Sequence, residues 1–508
     1  MFRRQENHEL DGAAVVGAPD PRWSYARPII LGLIMVLFAG CYFYLARHLI
    51  NHTNGDRNRS DQQNNIKLAL DAREDIQLDF KKYGSEAIWR WFPRRTDGVV
   101  NPLWPWFAAR AHTGEITDEE FFPRGKWLNV GLTIGFLLLG GAVAASRFSL
   151  PATVNLLLLA GLGALLPRAV WFQPEPMFFM LFLLAWLAAI AALVRNSVWR
   201  YGLFGVLCGL AYLAKASALP LLAAFIGIST ARCLWEGVRA MVRRRHGQSD
   251  ARWCPQAHLV GAVVCVLAFL TIAGPRLSFA MERYGAAFHS YPSYWMWLEN
   301  FEPESIDFML AHPSREELRS IPDGERPSLG RYLDRHGAAG FGARLTEGMR
   351  ETAADFLHPK RAKIRKRGPD PWRLLIPDRG LYLYALAALL LMMWLWSLVA
   401  KPRAQGIPQR HQPEALTVAL FVVGTLLLYF ALYGWYRPIG KGDRFVLSLY
   451  APLVVSLIWA AESVRERLAF RGVPRLGTLG YYCAHLAITV AILLRVAQIA
   501  GHPSFYTK

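Results

Sequence analysis

Long apolar runs separated by short polar breaks set the pattern of this chain. They lie near 28–50, 127–146, 149–167, 173–194, 200–214, 216–235, 257–275, 380–400, 414–434, 445–462 and 477–499. Most reach the roughly 17–25 residues that a helix needs to cross a bilayer. The pattern predicts an all-α polytopic membrane protein with about eleven transmembrane helices. Between 200 and 235, Lys215 and Pro220 interrupt the apolar positions, so two separate spans and one kinked pair both fit.

Two long polar stretches, 51–126 and 276–379, break the rhythm. They divide the chain into a tail at 1–27, an N-terminal transmembrane module at 28–275 holding the first loop at 51–126, a second large loop at 276–379, and C-terminal helices at 380–508. Such loops commonly carry function. In the first, Ser60 and Gln63 have capping-box spacing. The helix they open carries Ile66, Leu70, Ile76 and Phe80 on one side, which predicts a helix lying along the membrane surface. Asp71 and Asp75 fall on its polar, solvated side. A second helix near Leu103–Ala111 has Trp104, Trp106 and Phe107, residues suited to the headgroup zone. Gly131-xxx-Gly135 and Gly205-xxx-Gly209 predict close helix contacts.

Charge adds an orientation. The net charge is +19 over 508 residues, and much of the excess sits in short connections: Arg195 and Arg200, Arg239 to Arg245, Lys401 and Arg403, Arg465 to Arg475. Basic residues are retained on the cytoplasmic side, which predicts a cytoplasmic N-terminus, with both long loops and the C-terminus outside the plasma (inner) membrane. Topology and anionic lipid account for the charge without nucleic acid. The six cysteines lie in spans or cytoplasmic connections, so neither a disulfide framework nor zinc spacing is implied. Pro28–Ile50 is too long for the core of a cleavable signal.

Several charged residues stand where chemistry is possible. Asp61 opens the first-loop helix, whose positive end favours the ionised carboxylate. There it either accepts a proton from an attacking group or merely improves the helix start; Asp56, Asp71, Asp75 and Asp97 are rivals in the same loop. Arg95, beside Arg94, precedes the Pro-Leu-Trp-Pro-Trp turn. Lys215 sits at the rim of a span, where a cation is costly, unless it snorkels to the interface. Glu175, in Gln173-Pro174-Glu175-Pro176, either acts at the membrane edge or caps its helix. Tyr436, Arg437, Lys441 and Arg444, in Tyr433–Phe445, offer cations and a phenol to an anion, or form an interfacial belt. His48 and His52 have i,i+4 spacing with no carboxylate partner fixed by the pattern.

These motifs, in this order, resemble those of polyprenyl-phosphate-dependent glycosyltransferases of the GT-C fold. The chain is similar to the protein O-mannosyltransferases and the bacterial lipid A aminoarabinose transferases over about 28–460. The resemblance is carried by Asp61-Gln62-xx-Asn65-xxx-Ala69, Asn101-Pro102-Leu103-Trp104-Pro105-Trp106, Glu175, Gly209 to Lys215, and Arg444 to Pro452. It implies that Asp61 is the catalytic base, that the donor is a lipid-phosphate sugar, and that attack inverts the anomeric carbon. Many relatives have a second acid where Gln62 stands, and the aminoarabinose enzymes have one where Val99, Val100 and Asn101 stand. A paired-acid divalent metal site is therefore not supported, a divalent metal held in another way stays open, and no cofactor is assigned.

The expected protein is a transferase that moves a sugar from a polyprenyl phosphate to a lipid, glycan or protein acceptor at the outer, periplasmic face. Asp61 would act as base, Lys215 and Arg444 would hold the phosphate with Tyr436 and Lys441 near it, and Arg95 and Glu175 would orient sugar or phosphate. The alternative is a polytopic lipid or glycan transporter or flippase. That class is built from repeats with broken, charged helices near the midplane, and no duplicated pattern is visible in the sequence. A non-catalytic scaffold is a third reading.

Overall fold

A computed structural model describes residues 21–501, apart from 54–55, 58–60, 78–79, 112–116, 247–254, 300–306, 359–378, 400–411, 441–442, 471–474 and a few positions between 309 and 326. Ser60, Lys441 and the side chain of His52 lie outside the described residues.

Every described regular element is helical. The described residues begin with α1 (Pro21–Thr53), and the first loop follows as α2 (Gln62–Ile76), α3 (Phe80–Tyr83), α4 (Ser85–Arg90) and α5 (Leu103–Ala111). Next come α6 (Asp118–Ala145), α7 (Leu150–Ala160), a π-helical turn at Gly161–Leu165 and α8 (Leu166–Ala169). The N-terminal module ends with α9 (Glu175–Val194), α10 (Val198–Ala214), α11 (Leu219–Arg245) and α12 (Pro255–Tyr284). The second loop contributes α13 (Pro292–Trp295) and α14 (Leu329–Leu357), and the chain closes with α15 (Arg379–Val399), α16 (Gln412–Tyr436), α17 (Tyr450–Phe470) and α18 (Arg475–Ala500).

Ten membrane-length apolar helices are present among the described residues. The eleventh expected span, α10, is a shorter apolar helix of 17 residues. The ambiguity at Lys215 resolves into a break: Lys215 is extended (φ −158°, ψ 130°) and one 3-10 turn, Ala216–Ala218, leads into α11. The protein is an all-α polytopic membrane protein.

At one end of the bundle Arg27 of α1 donates to the carbonyls of Ala145 and Phe148 (2.7 and 2.8 Å). Glu462 there accepts from the Ser149 amide at 3.0 Å and from Tyr481, which ties α17 and α18 to the start of α7. Elsewhere Arg276 of α12 joins the 96–101 turn to the segment after α12, donating to Asn101 Oδ1 and to the His289 carbonyl.

Glycine packing follows one prediction and corrects the other. A methyl on Gly205 would stand 2.3 Å from the Cys265 carbonyl, and one on Gly209 would stand 2.8 Å from Ile272, so α10 and α12 meet along that pair. Gly131 and Gly135 have nothing within 4 Å of such a methyl. The packed side of α6 is instead made by Asn129, Val130, Thr133 and Leu137. Tyr42 donates to Thr133 (3.0 Å), and Asn129 donates to the Trp171 and Gln173 carbonyls (2.9 and 3.0 Å).

The second loop is anchored more firmly than its polarity suggests. A methyl on Gly348 of α14 would lie 2.0 Å from the Gly434 carbonyl of α16, and Arg437 pairs with Glu351 and with Asp355 (2.9 Å). Arg437 therefore fastens α14 to α16 rather than serving an anion. Gly348→Ala is expected to force these backbones apart and to cost about 1–3 kcal/mol, read as a lower unfolding temperature in detergent. Gly131→Ala, which meets open space, should leave that temperature unchanged, and equal effects of the two would refute the packing argument.

The first-loop helices also depart from expectation. The buried side of α2 is Gln62, Asn65, Ile66, Leu68, Ala69, Ala72 and Asp75, and it packs on α5. Trp104 is fully buried, edge-on to Phe172 at 5.8 Å, so it belongs to the core and not to the headgroup zone.

Candidate functional site

Asp61 precedes the first turn of α2, yet its side chain caps no backbone N–H. The simple reading of a helix-start acid therefore leaves its carboxylate unexplained. Its partner is Arg444: Nη1 lies 2.9 Å from Asp61 Oδ2, across 383 residues of chain. Asn65, one turn on, donates to the Asp61 carbonyl at 2.7 Å and steadies the helix start. Gln62 is buried and joins the same turn to the α8–α9 connection, accepting from the Phe172 amide at 2.9 Å and donating to the Asp56 carbonyl at 3.1 Å. The residue that stands in place of a second acid is thus a brace between the Asp61 turn and the segment leading to Glu175.

Glu175 is the first residue of α9 and also makes no helix cap. Only 2% exposed, it accepts from Lys215 Nζ at 3.0 Å. Lys215 stands at the α10–α11 break, in extended backbone between the end of α10 and the 3-10 turn. Tyr429 of α16 donates to the Ser217 carbonyl and holds the break against the bundle. A buried carboxylate needs such pairing, since isolated charges are expelled from apolar surroundings.

The two ion pairs share one field. Lys215, Arg444 and Arg168 all act on Glu175, and Arg444 is acted on by both Asp61 and Glu175. Burial by itself would loosen the Arg444 proton, but Asp61 and Glu175 more than offset this and hold it above the ordinary guanidinium range. The Tyr436 hydroxyl senses Arg444 and Asp61. Phe445 forms an apolar wall, with Lys215 Nζ 5.3 Å and the Arg444 guanidinium carbon 4.8 Å from its centroid. Lys215, Arg444 and Arg168 thus gather around Asp61 and Glu175, and cations so placed can stabilise an anion that displaces a carboxylate.

Arg95 does not join this group. It forms a two-pronged pair with Asp75 (Nε–Oδ2 2.5 Å, Nη2–Oδ1 2.8 Å), which holds the Arg95 proton above its usual range. Asp75 is 3% exposed, so its assignment to a solvated side is corrected: α2 turns this acid inward, where the pair compensates its burial.

Asp97 lies closer to the site than its place in the sequence suggests. One of its oxygens accepts from the Val99 and Val100 amides at 2.8 and 2.7 Å. Burial raises its pKa, those amides oppose the shift, and the Asp61 charge adds to it. The turn before Asn101-Pro102 thus contributes a second carboxylate within the field of Asp61. Arg276 was not singled out in the sequence. It is fully buried and joins the first loop to the second, donating to Asn101 Oδ1 (3.0 Å) and to the Ala287 and His289 carbonyls (3.2 and 3.1 Å). An arginine near the end of a span was its only signal. Burial, then Arg276, pushes the His289 pKa down to about 4, so that ring is neutral near pH 7. Among the described residues no three His, Cys, Asp or Glu side chains gather as metal ligands.

No protein-family model matches the chain, and comparison with curated proteins finds no significant match.

Proposed function

We propose that this protein is an integral membrane glycosyltransferase that moves a sugar from a polyprenyl-phosphate donor to an acceptor at the surface bearing the long loops. The observation that carries the reading is the meeting of Asp61, Glu175, Lys215 and Arg444, drawn from four distant segments, at one end of an apolar bundle. A lipid-linked donor suits a charged site flanked by membrane-spanning helices, and the arginine-bearing short connections favour placing that surface outside the plasma membrane.

The chemistry follows from the charges. A donor phosphate competes with Asp61 for Arg444, which both anchors the phosphate and releases the carboxylate. Asp61 then takes the proton of an acceptor hydroxyl or amine as that atom bonds to the anomeric carbon from the face opposite the phosphate. The bond from that carbon to the phosphate oxygen breaks, the electron pair stays with the phosphate, and the configuration inverts. Arg444 stabilises the charge gathering on the leaving group. Lys215, already held by Glu175, supplies a second cation at the rim.

The test is consumption of donor. Purified protein incubated with a panel of radiolabelled polyprenyl-phosphate sugars and a membrane extract as acceptor should move label out of one lipid phosphate. A flippase or a scaffold leaves every donor intact, and that outcome would end the transferase reading.

A further inference from the structure

A second cluster of cations lies well away from Asp61. Asp75 is 14 positions further along α2, about 21 Å at 1.5 Å per residue. There α2, α5 and the segment 90–95 enclose a hollow lined by Asp75, Arg90, Arg94, Arg95, Phe92 and Trp106, with apolar side chains behind them. Asp75 takes Arg95 in a two-pronged pair and Arg90 at 3.7 Å. Arg94 has no hydrogen bond or ion pair among the described residues. Its guanidinium lies 5.6 Å from the Phe279 ring, its buried Nε has no acceptor, and burial lowers its pKa. Beside the hollow, Arg110 is held between Trp91 (3.4 Å) and Trp106 (4.8 Å), with its buried Nε and Nη2 also without acceptors. Acids further off, Asp71, Glu74 and Glu282, act on Arg95 or Arg94 from outside the lining.

From this geometry we infer that the hollow is a second anion site, which binds a phosphate group at the membrane surface. Buried donors without acceptors cost free energy. Arg94, which lines the hollow without an acceptor for its Nε, offers donors to an incoming anion, and the guanidinium fork matches phosphate oxygens; Arg110, held between Trp91 and Trp106, adds its charge from beside the hollow. Ile88, Trp91 and Phe92 next to the hollow are exposed, and this apolar rim suits the acyl chains of a lipid that carries the phosphate. The site is independent of the transferase reading, since none of its residues touches the Asp61 cluster.

The experiment uses the full-length protein in phosphatidylcholine nanodiscs, titrated with dioleoyl phosphatidic acid and separately with inorganic phosphate, with bound species counted by native mass spectrometry. Arg94→Gln and Arg110→Gln should each weaken phosphatidic acid binding about tenfold or more. Arg124→Gln, an exposed arginine at the start of α6, should leave it unchanged. Melting curves run in parallel establish that each variant is folded. Phosphatidic acid bound more tightly than inorganic phosphate, with both lost in the variants, supports a lipid headgroup as the source. Equal binding of the two, lost likewise, supports free phosphate. Undiminished binding of both by folded Arg94→Gln and Arg110→Gln overturns the site.

Discussion

Asp61→Asn should reduce sugar transfer by at least 10²–10⁴-fold, the range a positioned general base contributes, while leaving the protein folded. The substitution keeps size and an oxygen that can still accept from Arg444, but removes the basic lone pair and the charge. Stability should change little, because the Asp61 side chain is 44% exposed and ion pairs in such positions contribute about 0–1 kcal/mol. Donor binding gives a sharper check. In the resting protein Asp61 occupies Arg444 at 2.9 Å, so a neutral residue there removes a competitor for the phosphate. The variant should bind a polyprenyl phosphate at least as tightly as the wild type while failing to turn it over. Rapid turnover by the variant would remove Asp61 from the chemistry, and a large loss of donor affinity would show that the carboxylate does not compete for Arg444.

The second large effect concerns folding. Lys215→Met leaves the Glu175 carboxylate, 2% exposed, without its 3.0 Å partner. Breaking a buried pair by removing one member costs about 3–5 kcal/mol, whereas replacing both members is often close to neutral. Lys215→Met should therefore melt well below the wild type, and Glu175→Gln with Lys215→Met should recover most of the difference. Melting curves for the two single variants and the double variant complete a cycle that isolates the coupling. Additive effects across the cycle would mean that the contact in the structure carries no energy. Recovered stability without recovered transfer is the expected pattern if Lys215 also serves the donor, since the double variant restores charge balance but not the cation.

Much of the architecture was written in the order of apolar and polar residues. Spans announce themselves because each must be apolar over a bilayer's thickness whatever it packs against. Only α10, with 17 residues, fell near the threshold. The phase of α2 was harder to read. Its core-facing row includes Gln62 and Asp75, polar residues whose burial is compensated by the Phe172 amide and by Arg95. A pattern that treats polar as exposed therefore misplaced Asp75 and left Arg95 among the ligand-binding candidates. The two glycine pairs make the same point. Gly131/Gly135 and Gly205/Gly209 share one spacing, and only the presence of α12 along one face distinguishes them.

From the order of residues alone came the class of molecule, the number of its spans to within one marginal helix, the two long loops and the charged residues worth testing. Those features depend on local composition, and each stretch of chain reports its own. Which charges meet was decided by tertiary structure: Arg444 with Asp61, Lys215 with Glu175, Arg95 with Asp75, Arg437 with Glu351 and Asp355. Pairing across 383 residues, as for Asp61 and Arg444, is not a local property. It follows from how the helices pack and which side chains that packing leaves in need of an opposite charge.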